Sequence, residues 1–531
     1  MAAAAALALL GSGGRSAAAT SPGSALSLNG AGVVASLPLI PRQSGIPMSG
    51  APVISFDVHL APDSSLRIGP GDTAAHFVLT RGAGTSPSLS VDGHRPVLLT
   101  PQAGWLESGG WRHVEMAGDE LSIDGRAFTF PGDAQVAPFQ YDLSRGHGTI
   151  RALIISRASD TAFLLFHRLA ELHARVPAKQ YPAGSSVDDR LYFDPGWTSG
   201  FYAGALWEAA ALEPAGGMFA SWALSDTIEH FGMERESTHD VGFMYGQSSL
   251  RGYEMLCGRR GSGGSAAVCA RLRSSVVSAA DELVALAATN PVAGTIPTDA
   301  TSPEAETIVD SMMNIAILPW ASAFTGNSAY SRLASHQASV VARVLVRRNG
   351  STAQSANFDR VTGRLISVTT HQGLSNTSTW ARGEGWAVYG FAVIAGELHS
   401  RAFLRVAERV ASYVSSHLPA GAVPRWDYDA PAGAPVDVSA GVITAAGLLH
   451  LAAACKQLDG ASACSALDGR WTALARRMLA AAVDGYASAQ PPLGLLRSQI
   501  EDERWGGGCW CNHGELIYGL SYALEGLALL H

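Results

Sequence analysis

Twelve successive stretches of this chain, all beyond residue 159, carry an apolar face at the spacing of an α-helix. They run 161–175, 200–212, 219–230, 242–256, 266–288, 304–324, 329–346, 386–399, 402–417, 439–455, 467–487 and 515–530. Some have caps near their starts, such as Ser400 and Asp468. No strand-like runs alternate with them regularly. Twelve helices predict six helical hairpins closed into an (α/α)6 barrel, whose active site lies in the cleft formed by the loops at one end. A helical solenoid is the competing architecture, but no fixed-period repeat supports it.

At 531 residues the chain exceeds one ordinary core, so two domains are expected. Before residue 159 the period is two. Residues 54–60 and 120–126 alternate, and Gly, Pro and Asp punctuate at short intervals. Residues 111–116 followed by 121–125 read as paired strands. The predicted organisation is a targeting segment over 1–30, a lectin-like or bracing β-sandwich over 31–157 and the mainly α catalytic barrel over 158–531. Residues 1–56 contain Arg15, Arg42 and no acid, and are rich in Ala and Ser. That composition suits a weak secretory signal or an organellar transit segment, and favours a secreted or organellar location over the cytoplasm.

Hydrophobic residues at 47% against charged residues at 15% describe a globular chain. The net charge of −8 argues against a nucleic-acid partner, and requires local positive groups to attract any anionic substrate. No stretch approaches the length of a membrane span, so no membrane partner is expected. Cys509 and Cys511 are too close for an ordinary zinc knuckle, and no CxxC accompanies them. Cys455 and Cys464 flank a short loop that suits a disulfide, as do Cys257 and Cys269, with free buried thiols the alternative.

The chemistry-bearing residues fall near helix ends. Ser378–Gly390 places the Arg382 guanidinium between the indoles of Trp380 and Trp386, which suits a ring-shaped anionic ligand such as a sugar acid. Asp240, after His239, stands at the entry of an apolar helix, where it is also a good N-cap. Asp310 lies inside an apolar helical run, where a carboxylate is costly unless paired or used. Two carboxylates facing one cleft share a proton and raise one pKa, which equips a carboxylic acid to donate near neutral pH. Trp197 follows a Pro-Gly turn as an aromatic platform. Gln372 supplies polar hydrogen-bonding groups, and residues 425–429 add an aromatic and acidic loop containing Asp427.

Five ordered motifs resemble the unsaturated glucuronyl hydrolases, glycoside hydrolase family 88. They are WTSGFYAGALW from Trp197, HDVGFMY from His239, IVDSMMN from Ile308, THQG from Thr370 and STWARGEGWAVYGF from Ser378. The resemblance runs from about Thr161 to the C-terminus. It implies the barrel, and hydrolysis of oligosaccharides that end in a 4,5-unsaturated uronic acid, with no metal or organic cofactor. It implies vinyl-ether hydration in place of ordinary two-carboxylate hydrolysis. Asp310 would protonate C4 and assist water addition at C5, and the hemiketal would open to expel the rest of the chain. Asp240 would position the reacting group. His239, Gln372 and Arg382 would hydrogen-bond the uronate, and Trp197 and Trp386 would stack on the ring.

The chain departs from that pattern at three places. Gln354 stands where the family has a His, Thr298 where it has a Trp, and Glu384 where it has a Gln. An altered substrate is the expectation. The related unsaturated rhamnogalacturonyl hydrolases and a non-catalytic sugar-binding protein on a degenerate barrel are the alternatives. Asn349 and Asn376 open glycosylation sequons, and a glycan on Asn376 would obstruct the cleft.

Overall fold

The fold is given by a computed structural model. Its described residues are the strands between 26 and 156, followed as backbone, and residues 165–530 apart from 166–168, 171, 187–189, 213–217, 235, 259–263, 487–495 and 501–513. The chain divides into two compact units, Met1–Ala170 with Leu212–Ser221, and Glu171–Ala211 with Trp222–His531.

The first unit contains two six-stranded antiparallel sheets. Alternation sets the pairing. Arg112–Ala117 lies against Glu120–Ile123 with Val114 opposite Ile123 and Met116 opposite Leu121 in the backbone register. Val53–Leu60 pairs with the other side of Arg112–Ala117, placing Ile54 opposite Met116 and Phe56 opposite Val114.

In the second unit, helices buried on nearly all sides alternate along the chain with helices buried on one face. Ala381–Glu397 buries 15 of its 17 residues, whereas the following helix, Arg401–His417, buries 7 of 17. The latter seven include Phe403, Ala407, Val410 and Val414, one stripe at helical spacing. Ser199–Leu212, Val438–Asp459 and Ile517–Leu530 are of the enclosed kind. Ala266–Ala288 and Ser328–Val344 are one-sided. This alternation is what two concentric rings require, an inner ring apolar all round and an outer ring with one wet face.

The inner ring closes. Val241–Tyr245 packs on Ser311–Asn314, which packs on Ala381–Glu397, then Val438–Asp459, then Ile517–Leu530. Phe201 returns the circuit, with its ring 5.9 Å from Tyr518 and 5.7 Å from Tyr522. Glycines set the close spacing. A Cβ on Gly200 would lie 2.3 Å from the Met244 carbonyl oxygen, and one on Gly447 would lie 2.7 Å from the Tyr389 nitrogen.

Four sequence expectations are corrected here. The 304–324 stretch is not one helix. Glu304–Ile308 is a strand that turns Ala305 and Thr307 inward and pairs with Ser355–Asp359, and two helices follow, Ser311–Asn314 and Ile317–Thr325. A five-residue strand is too short for its period to stand out from that of the helices behind it. Asp310 therefore lies half-buried at a strand-to-helix turn and not within a helix. The helix assigned to 386–399 starts at Ala381, so Arg382 is in its first turn. Residues 515–516 form a short strand against Pro182–Ser185 before the last helix. Val438–Asp459, at 22 residues, is long and apolar enough to span a membrane, and it is buried within the helical unit as an inner helix must be.

Both alternatives for the cysteines resolve toward disulfides. Cys257 joins Cys269 and Cys455 joins Cys464, each closing the link between consecutive helices. Cys509 and Cys511 lie outside the described residues.

Candidate active site

Each outer helix returns the chain, so successive inner helices point the same way and their N-termini share one end of the ring. The site residues read from the sequence cluster at those N-termini. Trp197 precedes Ser199–Leu212, His239 and Asp240 precede Val241–Tyr245, and Asp310 precedes Ser311–Asn314. Gln372 lies in the loop leading to Ala381–Glu397, and Arg382 and Trp386 lie on that helix.

Asp240 and Asp310 each occupy an N-cap position, yet neither side chain caps its helix. Capping therefore does not account for either acid. Asp240 is 24% exposed, and its Oδ1 lies 3.2 Å from His239 Nε2. Its Oδ2 accepts from Thr238 Oγ1 at 3.0 Å. His239 itself is buried and its N–H donates to the Thr298 carbonyl at 3.2 Å. Thr298 in turn donates to the Glu306 carbonyl at 2.8 Å, so its backbone ties the His239 turn to the strand leading to Asp310.

The two acid-bearing turns meet through Asn314, a buried residue of the IVDSMMN motif to which the resemblance assigns no role. Its Oδ1 accepts the Phe243 N–H at 2.7 Å, and its Nδ2 lies 3.5 Å from Asp240 Oδ1. Gly242 permits the approach, because a Cβ there would lie 2.2 Å from the Asn314 carbonyl oxygen and 2.3 Å from its Cα. The signal available in sequence was an amide inside an apolar run, since buried polar groups need partners.

Trp197 is half-buried, with Tyr518 at 5.0 Å and Phe243 at 5.6 Å between ring centroids. Gln372 is half-buried and bonded to Gln354. Arg382 does not lie between Trp380 and Trp386. Its guanidinium sits 4.5 Å from the Trp380 ring and 5.4 Å from that of Tyr518, is 1% exposed, and faces Asp437 Oδ2 at 3.3 Å. Its charge is thus balanced inside the protein. Trp386 is fully buried against Phe243 and Tyr522, at 5.1 and 5.5 Å. Neither residue presents a face to solvent. Asp427 is buried, and its Oδ2 accepts Leu374 N–H at 2.9 Å and Ser378 Oγ at 2.7 Å, so it orders the loop that carries Gln372.

Glu384 lies in the first turn of the Arg382 helix, fully buried, with Oε2 accepting Thr352 N–H at 2.9 Å and Thr352 Oγ1 at 2.8 Å. Burial pushes its carboxyl up to about 8, against the opposing pull of those hydrogen bonds and of Arg347. Among the described residues, Cys455, Asp459 and Cys464 bring ligand-type atoms within 4.8 Å of one another, but the two sulfurs are spent in a disulfide.

A closed ring of inner helices with two acids on adjoining turns at one end is the build of an α/α-barrel glycoside hydrolase. The unsaturated glucuronyl hydrolase of Bacillus sp. (strain GL1) is 30% identical over 302 residues, covering 55% of this chain and 74% of that protein. The chain belongs to the unsaturated glucuronyl hydrolase family. The unsaturated chondroitin disaccharide hydrolase of Streptococcus pneumoniae is 26% identical over 269 residues, covering 49% of this chain and 64% of that one. The crystal structure of the Bacillus sp. GL1 enzyme, described as responsible for the degradation of glycosaminoglycan, matches with a TM-score of 0.60 and 26% identity over 70% of this chain and 95% of that one. No protein-family profile matches the chain.

Proposed function

We propose that this hydrolase removes a 4,5-unsaturated uronic acid from the non-reducing end of lyase-generated oligosaccharides by hydrating its vinyl ether. The observation that carries the reading is the pair Asp240 and Asp310, set on adjoining turns by Asn314 with neither carboxylate used as a helix cap. Asp310 is the proton donor to C4 and then assists the water that adds at C5. The hemiketal so formed opens and releases the remaining sugar. Asp240, steadied by His239 and Thr238, positions the reacting group.

The uronate is met by Gln372 and Trp197 at the half-buried rim and by buried His239 just behind them: Gln372 and His239 hydrogen-bond it and Trp197 stacks on the ring. Arg382 and Trp386 belong to the layer beneath, where they hold the floor of the cleft. With Arg382 paired to Asp437, attraction for an anion comes from the N-termini of the long inner helices, whose dipoles all face this end. That resolves the conflict between an anionic substrate and a net charge of −8. The helical unit is taken as the six-hairpin form, and the two N-terminal sheets as a β-sandwich domain of the lectin-like kind. The relatives named above act on glucuronyl and chondroitin substrates, which favours glycosaminoglycan-derived disaccharides as the first panel.

The unsaturated sugar absorbs in the ultraviolet, so turnover is read as loss of that absorbance. Decay with glucuronyl disaccharides supports the reading. Unchanged absorbance with glucuronyl, galacturonyl and rhamnogalacturonyl substrates alike would refute it.

A further inference from the structure

We propose that Gln354 is a positioning residue that sets the polarity of the Gln372 amide, so that Gln372 meets its ligand as a hydrogen-bond donor. The proposal deepens the reading above and rests on it for the contact between Gln372 and the uronyl sugar.

Gln354 is 4% exposed. Its Oε1 is a shared acceptor for Thr370 Oγ1 at 2.7 Å, the His371 N–H at 2.8 Å and the Gln372 N–H at 3.0 Å. Two of these are backbone N–H groups, which only donate. They decide which end of the Gln354 amide is oxygen. The nitrogen end is left to face the Gln372 side chain, Nε2 to Oε1 at 2.5 Å. An –NH2 group has no lone pair to offer, so the atom of Gln372 that meets it is oxygen. The –NH2 of Gln372 is therefore the end turned away from Gln354. The Gln354 main chain also accepts the Val309 N–H at 2.8 Å, one residue before Asp310. One buried residue thus orients the Gln372 amide and anchors the turn of the proposed acid.

A donor at Gln372 suits a carboxylate or hydroxyl oxygen of a uronyl sugar, and an acceptor there would repel the carboxylate. A Glu at 354 would still accept the same three donors, but it has no proton for Gln372 Oε1. Two acceptors at that spacing repel, so the Gln372 amide would turn over and present its oxygen to the ligand.

The test uses the full chain and an unsaturated glucuronyl disaccharide. Gln354→Glu is expected to raise KM about tenfold, the worth of one hydrogen bond to a charged group, with kcat changed far less. In a Gln372→Ala background the same substitution should change KM less than about twofold, because the amide it acts through is gone. An equal effect in both backgrounds overturns the proposal. A second arm needs no substrate. The losses in Tm of Gln354→Ala and Gln372→Ala are expected to be clearly less than additive in the double variant. Additive losses overturn the coupling even if Gln354→Glu fails to fold. Absence of turnover by the unmodified chain would instead count against the functional reading and leave the coupling to be judged by Tm.

Discussion

Asn314 faces Phe243 and the Asp240 carboxylate from one side chain, accepting the Phe243 N–H at 2.7 Å while Nδ2 lies 3.5 Å from Asp240 Oδ1. Its backbone N–H also reaches the Asp310 carbonyl at 3.4 Å, so a single residue spans both acid-bearing turns. Asn314→Leu keeps the branched shape and leaves the Phe243 N–H buried without its side-chain acceptor. The expected cost is about 1 to 3 kcal/mol in denaturant unfolding, with kcat reduced about tenfold or more. An unchanged kcat would show that Asn314 has no part in placing Asp240.

Asp310→Asn retains size and polarity but cannot deliver the proton. Turnover should fall about a thousandfold, the usual contribution of a positioned acid. Disaccharide binding by calorimetry should stay within a few-fold. Activity close to that of the unmodified chain would remove Asp310 from the role of donor.

Glu384 provides a pH signature. Burial raises its carboxyl from 4.5 in the unfolded chain to about 8 in the folded one. Between those values the folded protein keeps a proton that the unfolded chain has released. The stability this group contributes is therefore full below about pH 4.5 and is lost as pH rises through about 8. The loss is on the order of 3 to 5 kcal/mol. Glu384→Gln keeps an acceptor for Thr352 and removes the ionisation, so its Tm should exceed that of the unmodified chain above pH 8 and converge with it toward low pH. Parallel Tm profiles across that window would contradict the assignment.

Gly242→Ala probes the joint between the acid turns. The added methyl would press on Asn314 backbone atoms 2.2 and 2.3 Å away, which cannot rotate aside. A destabilisation of about 1 to 3 kcal/mol or more is expected from overpacking, together with a drop in kcat because the turns are forced apart. Gly421→Ala is the control, since a Cβ there meets nothing within 4 Å. Equal stability of the two variants would argue against close packing at Gly242.

The helices were legible because periodicity is a local property. Phe403, Ala407, Val410 and Val414 announce one buried face without reference to any other part of the chain. The motifs around Asp240, Asp310 and Gln372 were legible for the same reason, as short runs whose residue types carry chemistry. The Glu304–Ile308 strand was not, because its identity depends on Ser355–Asp359 some fifty residues away.

What the sequence alone determined is the helical class of the larger unit, the family and the order in which the chemical groups arrive. Only the tertiary structure decided how those groups are used. Arg382 read as a ligand-facing cation until Asp437, 55 residues on, was found against it. Gln354 read as a departure from the family's pattern until its amide was seen to bind the chain at Thr370, His371 and Gln372. The physical reason is common to both. A side chain's charge balance and hydrogen-bond partners are set by its neighbours in space: packing of the inner helices brings Asp437 to Arg382, and pairing of Ser355–Asp359 with Leu365–Thr369 brings residues 370–372 to Gln354.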